Sequence, residues 1–463
     1  MDVFCGIDWA EDHHDIALVN RDGGLLARAR IGDDAAGLTR LLDLLAEHGD
    51  SAEDPVPVAI ETPRGLLVAC LRATRRVYPV NPMAVARYRD RHSVAGRKSD
   101  HGDAVVLANI LRTDLHAHRP LPADSELAQA IAVLARAQQD AVWGRITAHN
   151  KLRSHLREYY PGFLAAFAAA NGGITRPEAR AILAAAPTPA DAAKLTLAQL
   201  RALLRKAGRS RGIDAGAARL RDALRKGQMR QLPLVEQAMG RQALALLRQL
   251  DAACASAADL EQAAIQSFNL HPDAGIITSF PGPGALTGAR VLAETGDDRS
   301  RFADAKGLKA YAGAAPITRA SGKTRSVTHR KVKNNRLNAA DYLWAFAALT
   351  ASPGARARYD RRRDYGGRHA AAQRNLFGRF LGCLHHCLIT GQHYDETIAF
   401  PRNSEKTSPC SLTTQPHRMS TSSPLTSQAL PGNRRTGAGG TPPGGDSCQA
   451  ELPAGPMSTT TPR

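Results

Sequence analysis

Short apolar runs alternate with turn residues over the first 118 positions of the chain. VFCGID, DIALVN, LLARARI, VPVAIE and VYPVN have the β-type composition and length of strands, and the turn RDGG separates the second from the third. Between the third and fourth runs, Ala35–Glu47 carries its apolar residues at helical spacing. The pattern predicts an α/β domain over residues 1–118. The period then changes. From Ser125 to Tyr160, Leu127, Ile131, Leu134, Val142, Ile146, Leu152 and Leu156 fall mostly on one stripe, and a second block rich in Ala, Leu, Arg and Gln runs from Pro189 to Phe268. A narrow stripe of this kind suits a coiled coil or a helix packed within its own chain, so residues 125–268 read as a helical linker or coiled coil. Residues 274–395 form a third compact, mostly helical region. Over residues 401–463, Ser, Thr, Pro and Gly replace the large apolar residues, which predicts a disordered tail.

Charge narrows the partners. A net charge of +18 favours a polyanion, because Lys and Arg displace the counterions condensed on nucleic acid, although a basic chain alone does not establish DNA binding. The cysteines at 5, 70, 254, 383, 387, 410 and 448 form no paired framework, nothing at the N-terminus resembles a secretion signal, and no apolar run approaches a bilayer's thickness. The expectation is a soluble cytoplasmic protein without a membrane partner. Cys383, His385, His386 and Cys387 lie close together, but only the two cysteines share a helix face, which argues against zinc.

The element order of the first region, strand, strand, turn, strand, helix, strand, helix, strand, helix, is that of a ribonuclease-H-like domain. Its first and fourth strands lie side by side. Asp8 ends the first and Glu61 the fourth, so the two carboxylates should converge. Asp100 and Asp103, three apart at the start of a helix, share a face. Four such oxygen donors suit hard cations, Mg²⁺ above all, and two ions about 4 Å apart can activate a nucleophile and stabilise the leaving oxygen of a phosphodiester. Asp12, Asp15 and Asp90 are neighbouring alternatives, and Asp100 in a structural reading caps the helix opening near His101. His13 and His14, adjacent on an extended segment, point to opposite sides and read as solvent-facing or locally hydrogen-bonded.

The segment PITRASGKTRS ends like a phosphate-binding loop, but the first glycine that pattern needs falls on Ile317. What remains is a loop serine, Ser321, among Arg319, Lys323 and Arg325, with Thr318, Thr324 and Ser326 as rivals. Upstream, Gly282 and Gly284 in SFPGPGALTG read equally as a helix-hairpin-helix that holds a DNA phosphate or as a tight turn between core helices. Downstream, HRKVKNNR puts Arg330, Lys331, Lys333 and Arg336 before an apolar helix, close to the serine loop, where phosphate contact is expected.

The four carboxylates, the phrase KSDHGDAVVLANILRTD and the stretch from SFPGPGALTG through AYAGAAPITRASGKT resemble the DEDD-type bacterial insertion-sequence transposases, the family described as bridge-RNA-guided serine recombinases. The likeness spans residues 1 to about 395, the helical middle matching in character more than in motif. It implies a resolvase-like domain with a Mg²⁺-binding DEDD centre, a coiled coil that joins protomers into a dimer or tetramer, and a C-terminal transposase domain whose catalytic serine falls on Ser321. It also implies DNA partners at element ends and target, a structured guide RNA and a place at the nucleoid. Ala314 stands where members commonly carry a larger apolar residue, and the tail has no counterpart. Two other readings stay open: a hydrolytic junction-resolvase-like nuclease in which the DEDD centre activates water, and a nucleic-acid-binding relic without turnover. Removing residues 403–463 is expected to leave the melting temperature nearly unchanged, because that segment has little apolar surface to bury; a thermal melt of the shortened chain checks this.

Overall fold

The computed structural model describes residues 2–92, 100–168, 172–322 and 324–401; Lys323, the side chain of Asp100 and residues 402–463, hence nearly all of the expected tail, lie outside them. The first five runs become β1 (Val3–Trp9), β2 (His13–Asn20), β3 (Leu25–Gly32), β4 (Val58–Ile60) and β5 (Val77–Pro79), in one sheet of order β3-β2-β1-β4-β5. β1 pairs antiparallel with β2 and parallel with β4, as the expected convergence of Asp8 and Glu61 requires.

Alternation along the strands sorts side chains to two faces. Cys5 and Ile7 of β1, with Ile16, Leu18, Val58 and Ile60, pack under α1 (Ala35–Glu47) and α2 (Leu66–Arg72). Burial pushes the Cys5 thiol up to about 12, so this cysteine is a packing group without nucleophilic character. Phe4, Val19, Ala59 and Tyr78 pack on the other side, against α3 (Pro82–His92) and α4 (Asp100–Asp114). Gly6 belongs to this second face. A Cβ there would overlap the Ala104 carbonyl oxygen and lie 2.5 Å from the Ala108 amide nitrogen, so only glycine lets the α4 backbone lie on β1.

Two long helices, α5 (Glu126–Tyr159) and α11 (Pro233–Asn269), lie against each other and are antiparallel. Ile131 and Ala135 near the start of α5 share a core with Phe268 at the end of α11; Leu152 and Leu156 share another with Ala243 and Leu247 near the start of α11. The apolar stripe of α5 is therefore covered, at least in part, within the chain. At the distal end, α6 (Pro161–Phe167), α7 (Pro177–Ala185), α8 (Pro189–Lys194), α9 (Leu197–Lys206) and α10 (Ile213–Arg225) fold around the second core.

The C-terminal core is built from α12 (Ala274–Thr278), α13 (Ala285–Thr295), α14 (Ala305–Tyr311), α15 (Asn335–Ala351), α16 (Pro353–Asp364), α17 (His369–Thr390) and α18 (Glu396–Ala399). Its centre is Trp344, stacked on Phe380 at 5.4 Å and edge-on to Phe280 at 5.3 Å. The region is mostly helical, but residues expected as a loop form a hairpin of β6 (Ile317–Ser321) and β7 (Thr324–Thr328). No helix among the described residues is long and apolar enough to cross a membrane. Gly6→Ala is expected to cost about 1–3 kcal/mol by forcing α4 off the sheet; urea unfolding measures the loss.

Candidate active site

Ile7 pairs with Ile60 across the parallel β1–β4 ladder, so the next residues, Asp8 and Glu61, stand side by side on the face that α4 covers. On the other flank of β1, Asp8 lies directly opposite Asp15 of β2, and Asp15 opposite Arg30 of β3. The result is a rank, Glu61, Asp8, Asp15, Arg30, running across four strands. Arg30 grips Asp15 with two hydrogen bonds, Nε to Oδ1 at 3.0 Å and Nη2 to Oδ2 at 2.7 Å, which compensates a carboxylate that is almost wholly buried.

Asp103 comes to this rank from the first turn of α4. It is 6% exposed, and Arg89 of α3 donates to its Oδ1 at 2.6 Å. Asp8, Glu61, Asp15, Asp103 and Arg89 line one cleft of about 430 Å³, with Trp9, Ala10, His13 and Pro82. His13, half-buried, lines the cleft, whereas His14 points to the opposite face, is fully buried and is hydrogen-bonded to Asp33 at 3.2 Å, so the two point to opposite sides as expected and His14 takes the hydrogen-bonded alternative. Asp8, Glu61 and Asp103 offer the hard oxygen donors that Mg²⁺ takes, so the donor set fits such an ion. Among the described residues no group of three or more His, Cys, Asp or Glu side chains stands in metal-holding geometry. In the conformation described, a guanidinium occupies Asp103.

Ser321 lies elsewhere, at the tip of the β6–β7 hairpin, and does not line the cleft. Gly322 (φ +55°) takes the left-handed conformation that a tight hairpin turn requires. Cross-strand pairing puts Arg319 and Ser326 on the same face as Ser321 and Thr324, while Ala320 and Arg325 share the other. Among the described residues, Arg319 is thus the basic neighbour on the serine's side. From Thr318 to Thr328 every described residue of the hairpin is exposed.

The arm is pinned at its base. Asn334 donates through Nδ2 to Glu294 and to Tyr311 Oη, both at 2.6 Å, and its Oδ1 accepts from Leu337 N to cap α15. Arg136 of α5 holds the buried Glu294 from its other side, at 2.7 and 3.1 Å. Burial alone would lower the Arg136 pKa, but its bonds to Glu294 raise it. This network carries no motif, and sequence reasoning missed it, as it missed Arg89 and Trp9.

The remaining basic candidates divide. Arg336 is committed within the chain, with both Asp140 oxygens at 2.9 Å and its guanidinium 5.2 Å from the Trp143 ring centre. Lys331 is exposed, Arg330 is half-buried, and the stem of Lys333 packs over Gly313. In the PGPG turn, Gly282 (φ +100°) abuts the α15 backbone at Ala348 and Trp344 Nε1 donates to the Pro281 carbonyl, which are features of a core turn. Gly284 is different. It is exposed and serves as the N-cap of α13 without a side-chain cap. The Cys383–Cys387 pair belongs to the core, and burial raises both thiols.

Comparison with known proteins matches residues 5–161 to the IS110-type DEDD model, described as a transposase, and residues 274–360 to the transposase family IS116/IS110/IS902. A protein assigned as the mini-circle transposase of IS117 from Streptomyces coelicolor is 66% identical over 399 residues, 86% of this chain and 96% of the relative. The 42 kDa protein of insertion element IS900 from Mycobacterium paratuberculosis is 29% identical over 82% of this chain and 94% of its own length. The 44.8 kDa protein of IS116 from Streptomyces clavuligerus is 28% identical over 82% and 93%.

Glu294→Ala is expected to cost about 2–3 kcal/mol, because Arg136 and Asn334 both lose a charged partner. Chemical denaturation measures it, and limited proteolysis should show faster cutting near residues 316–334 if the network holds the arm.

Proposed function

Because the chain belongs to the IS116/IS110/IS902 family of transposases, we propose that it cuts insertion-element DNA and rejoins it through a covalent link to Ser321, with Asp8, Glu61, Asp100 and Asp103 holding divalent cations, two Mg²⁺ ions in the complete site. The observation that carries this reading is the in-register placement of Asp8 beside Glu61, with Asp103 brought over them by α4. The strand order β3-β2-β1-β4-β5 supports a ribonuclease-H-like domain over residues 1–118. The bound cations would supply Lewis-acid stabilisation of the reacting phosphate.

The protein's own groups perform the exchange. Ser321 Oγ attacks phosphorus and loses its proton to solvent; the bond from phosphorus to a deoxyribose oxygen breaks, and that oxygen departs with the electron pair and takes up a proton. A DNA hydroxyl later attacks the same phosphorus and expels Ser321. One phosphate ester replaces another at each step, so rejoining needs no external energy. Arg319, on the serine's face, steadies the phosphate oxygens, and Arg325, Lys323, Arg330, Lys331 and Lys333 hold the flanking backbone. The uncapped amides at Gly284 suit a further phosphate better than Gly282, which the core occupies. A structured guide RNA chooses the element ends and target, and a dimer or tetramer brings them together, with residues 125–268 as the linking region.

A hydrolytic nuclease has one observation in its favour, the absence of Ser321 from the cleft lining. Trapping with denaturant separates the readings. Wild-type protein should leave a protein–DNA adduct, and Ser321→Ala should lose both adduct and strand exchange while keeping its melting temperature. Asp8→Asn and Glu61→Gln should slow cleavage by about 10²-fold or more without loss of DNA binding. Full cleavage by Ser321→Ala, with no adduct in the wild type, would establish the hydrolytic route; binding without any cleavage would mark a relic.

A further inference from the structure

Among the described residues, two arginines bond to carboxylates of the cleft, and they do so differently. Arg30 engages both oxygens of Asp15 through two nitrogens, in the planar fork geometry that a permanent pair takes. Arg89 reaches Asp103 through Nη2 alone among the described contacts, and its Nε–H is buried without a hydrogen-bond partner. A buried Nε–H without a partner is costly, so this pose leaves donor capacity unused. Burying the Asp103 carboxylate is costly unless a cation pairs with it, and Arg89 supplies that cation in this arrangement. Arg89 lines the cleft, its side chain 22% exposed, and comes from a different helix than Asp103.

We propose that Arg89 is an exchangeable counter-ion: it neutralises Asp103 until a divalent cation takes that oxygen, and the released guanidinium then takes a DNA phosphate oxygen in the same cleft. This rests on the reading of the cleft as a cation site. The two positive groups compete for one carboxylate oxygen, so cation binding and phosphate capture become linked. An Arg89 that merely supported Asp103 would behave in the opposite way, and its removal would weaken cation binding.

The test uses the full chain and Mn²⁺ as probe, with dissociation constants from electron paramagnetic resonance or calorimetry in the absence of DNA. Arg89→Ala should bind Mn²⁺ about tenfold tighter than wild type, because one positive charge has left the cleft. Arg89→Met, which keeps the aliphatic stem, should do the same and guards against a packing defect. Arg89→Lys should stay near wild type. In a Ser321→Ala background, the gain in affinity for element-end DNA on adding Mn²⁺, read by fluorescence anisotropy, should shrink several-fold in Arg89→Met. Unchanged or weaker Mn²⁺ binding in both Arg89→Ala and Arg89→Met overturns the exchange, and an undiminished gain in DNA affinity overturns phosphate capture. If Asp8→Asn leaves wild-type Mn²⁺ binding untouched, the cation reading of the cleft is what fails.

Discussion

The contact on which the carboxylate cleft depends is that of the α4 backbone with β1 at Gly6. A helix ordinarily stands off a sheet by the thickness of two side-chain layers. Here one layer is missing, and Ala104 and Ala108 rest on the strand itself. This closeness brings the first turn of α4, with Asp103, down to the level of Asp8 two residues further along β1. The order of the sheet does the rest, since β1 lies between β2 and β4 and receives a carboxylate from each side. The cleft thus arises from one absent methyl group and two strand registers, with no long loop needed to bring the acids together.

Much of this was legible in the sequence because the signals are periodic. The five strands, the helix Ala35–Glu47 and the convergence of Asp8 with Glu61 follow from alternation and element order, and the helix has the bounds expected of it. The β6–β7 hairpin was not legible. Arg319, Ser321, Arg325 and Ser326 are exposed on both faces of a two-stranded ribbon, so no apolar face marks a period. The partner of α5 was hidden for another reason: its stripe is equally suited to a neighbour in the chain or in a second copy, and it takes long-range meetings such as Ile131 with Phe268, over a hundred residues away, to identify α11. Arg89, one of several arginines in ARYRDRH, has no spacing that distinguishes it. The PGPG turn read as evenly balanced, and the structure splits it, with Gly282 in the core and Gly284 exposed at a helix start.

The cleft and Ser321 belong to separate cores, and the segment between residues 122 and 136 connects them. Asp124 accepts from the amides of Asp297 and Asp298, which in turn accept from Ser125 and Ala123, and twelve residues after Asp124 Arg136 reaches Glu294 at the foot of the serine arm. Arg72 of α2 donates to the Pro122 carbonyl just before. Such reciprocal bonds among backbone and carboxylate groups fix orientation more than they add stability, because each replaces contacts with water. They give the carboxylate cleft and the β6–β7 hairpin a common mechanical reference.

The antiparallel stalk of α5 and α11 has a consequence of scale. The 34 residues of α5 span about 50 Å, and the core formed around α6–α10 hangs at the far end with its entry and exit through the same two helices. A tilt of about 5° at the base swings that end by about 4 Å. The stalk has the proportions of a lever arm. By length alone, a tilt of that size at the base would shift the distal core by more than the rise of one base pair of DNA.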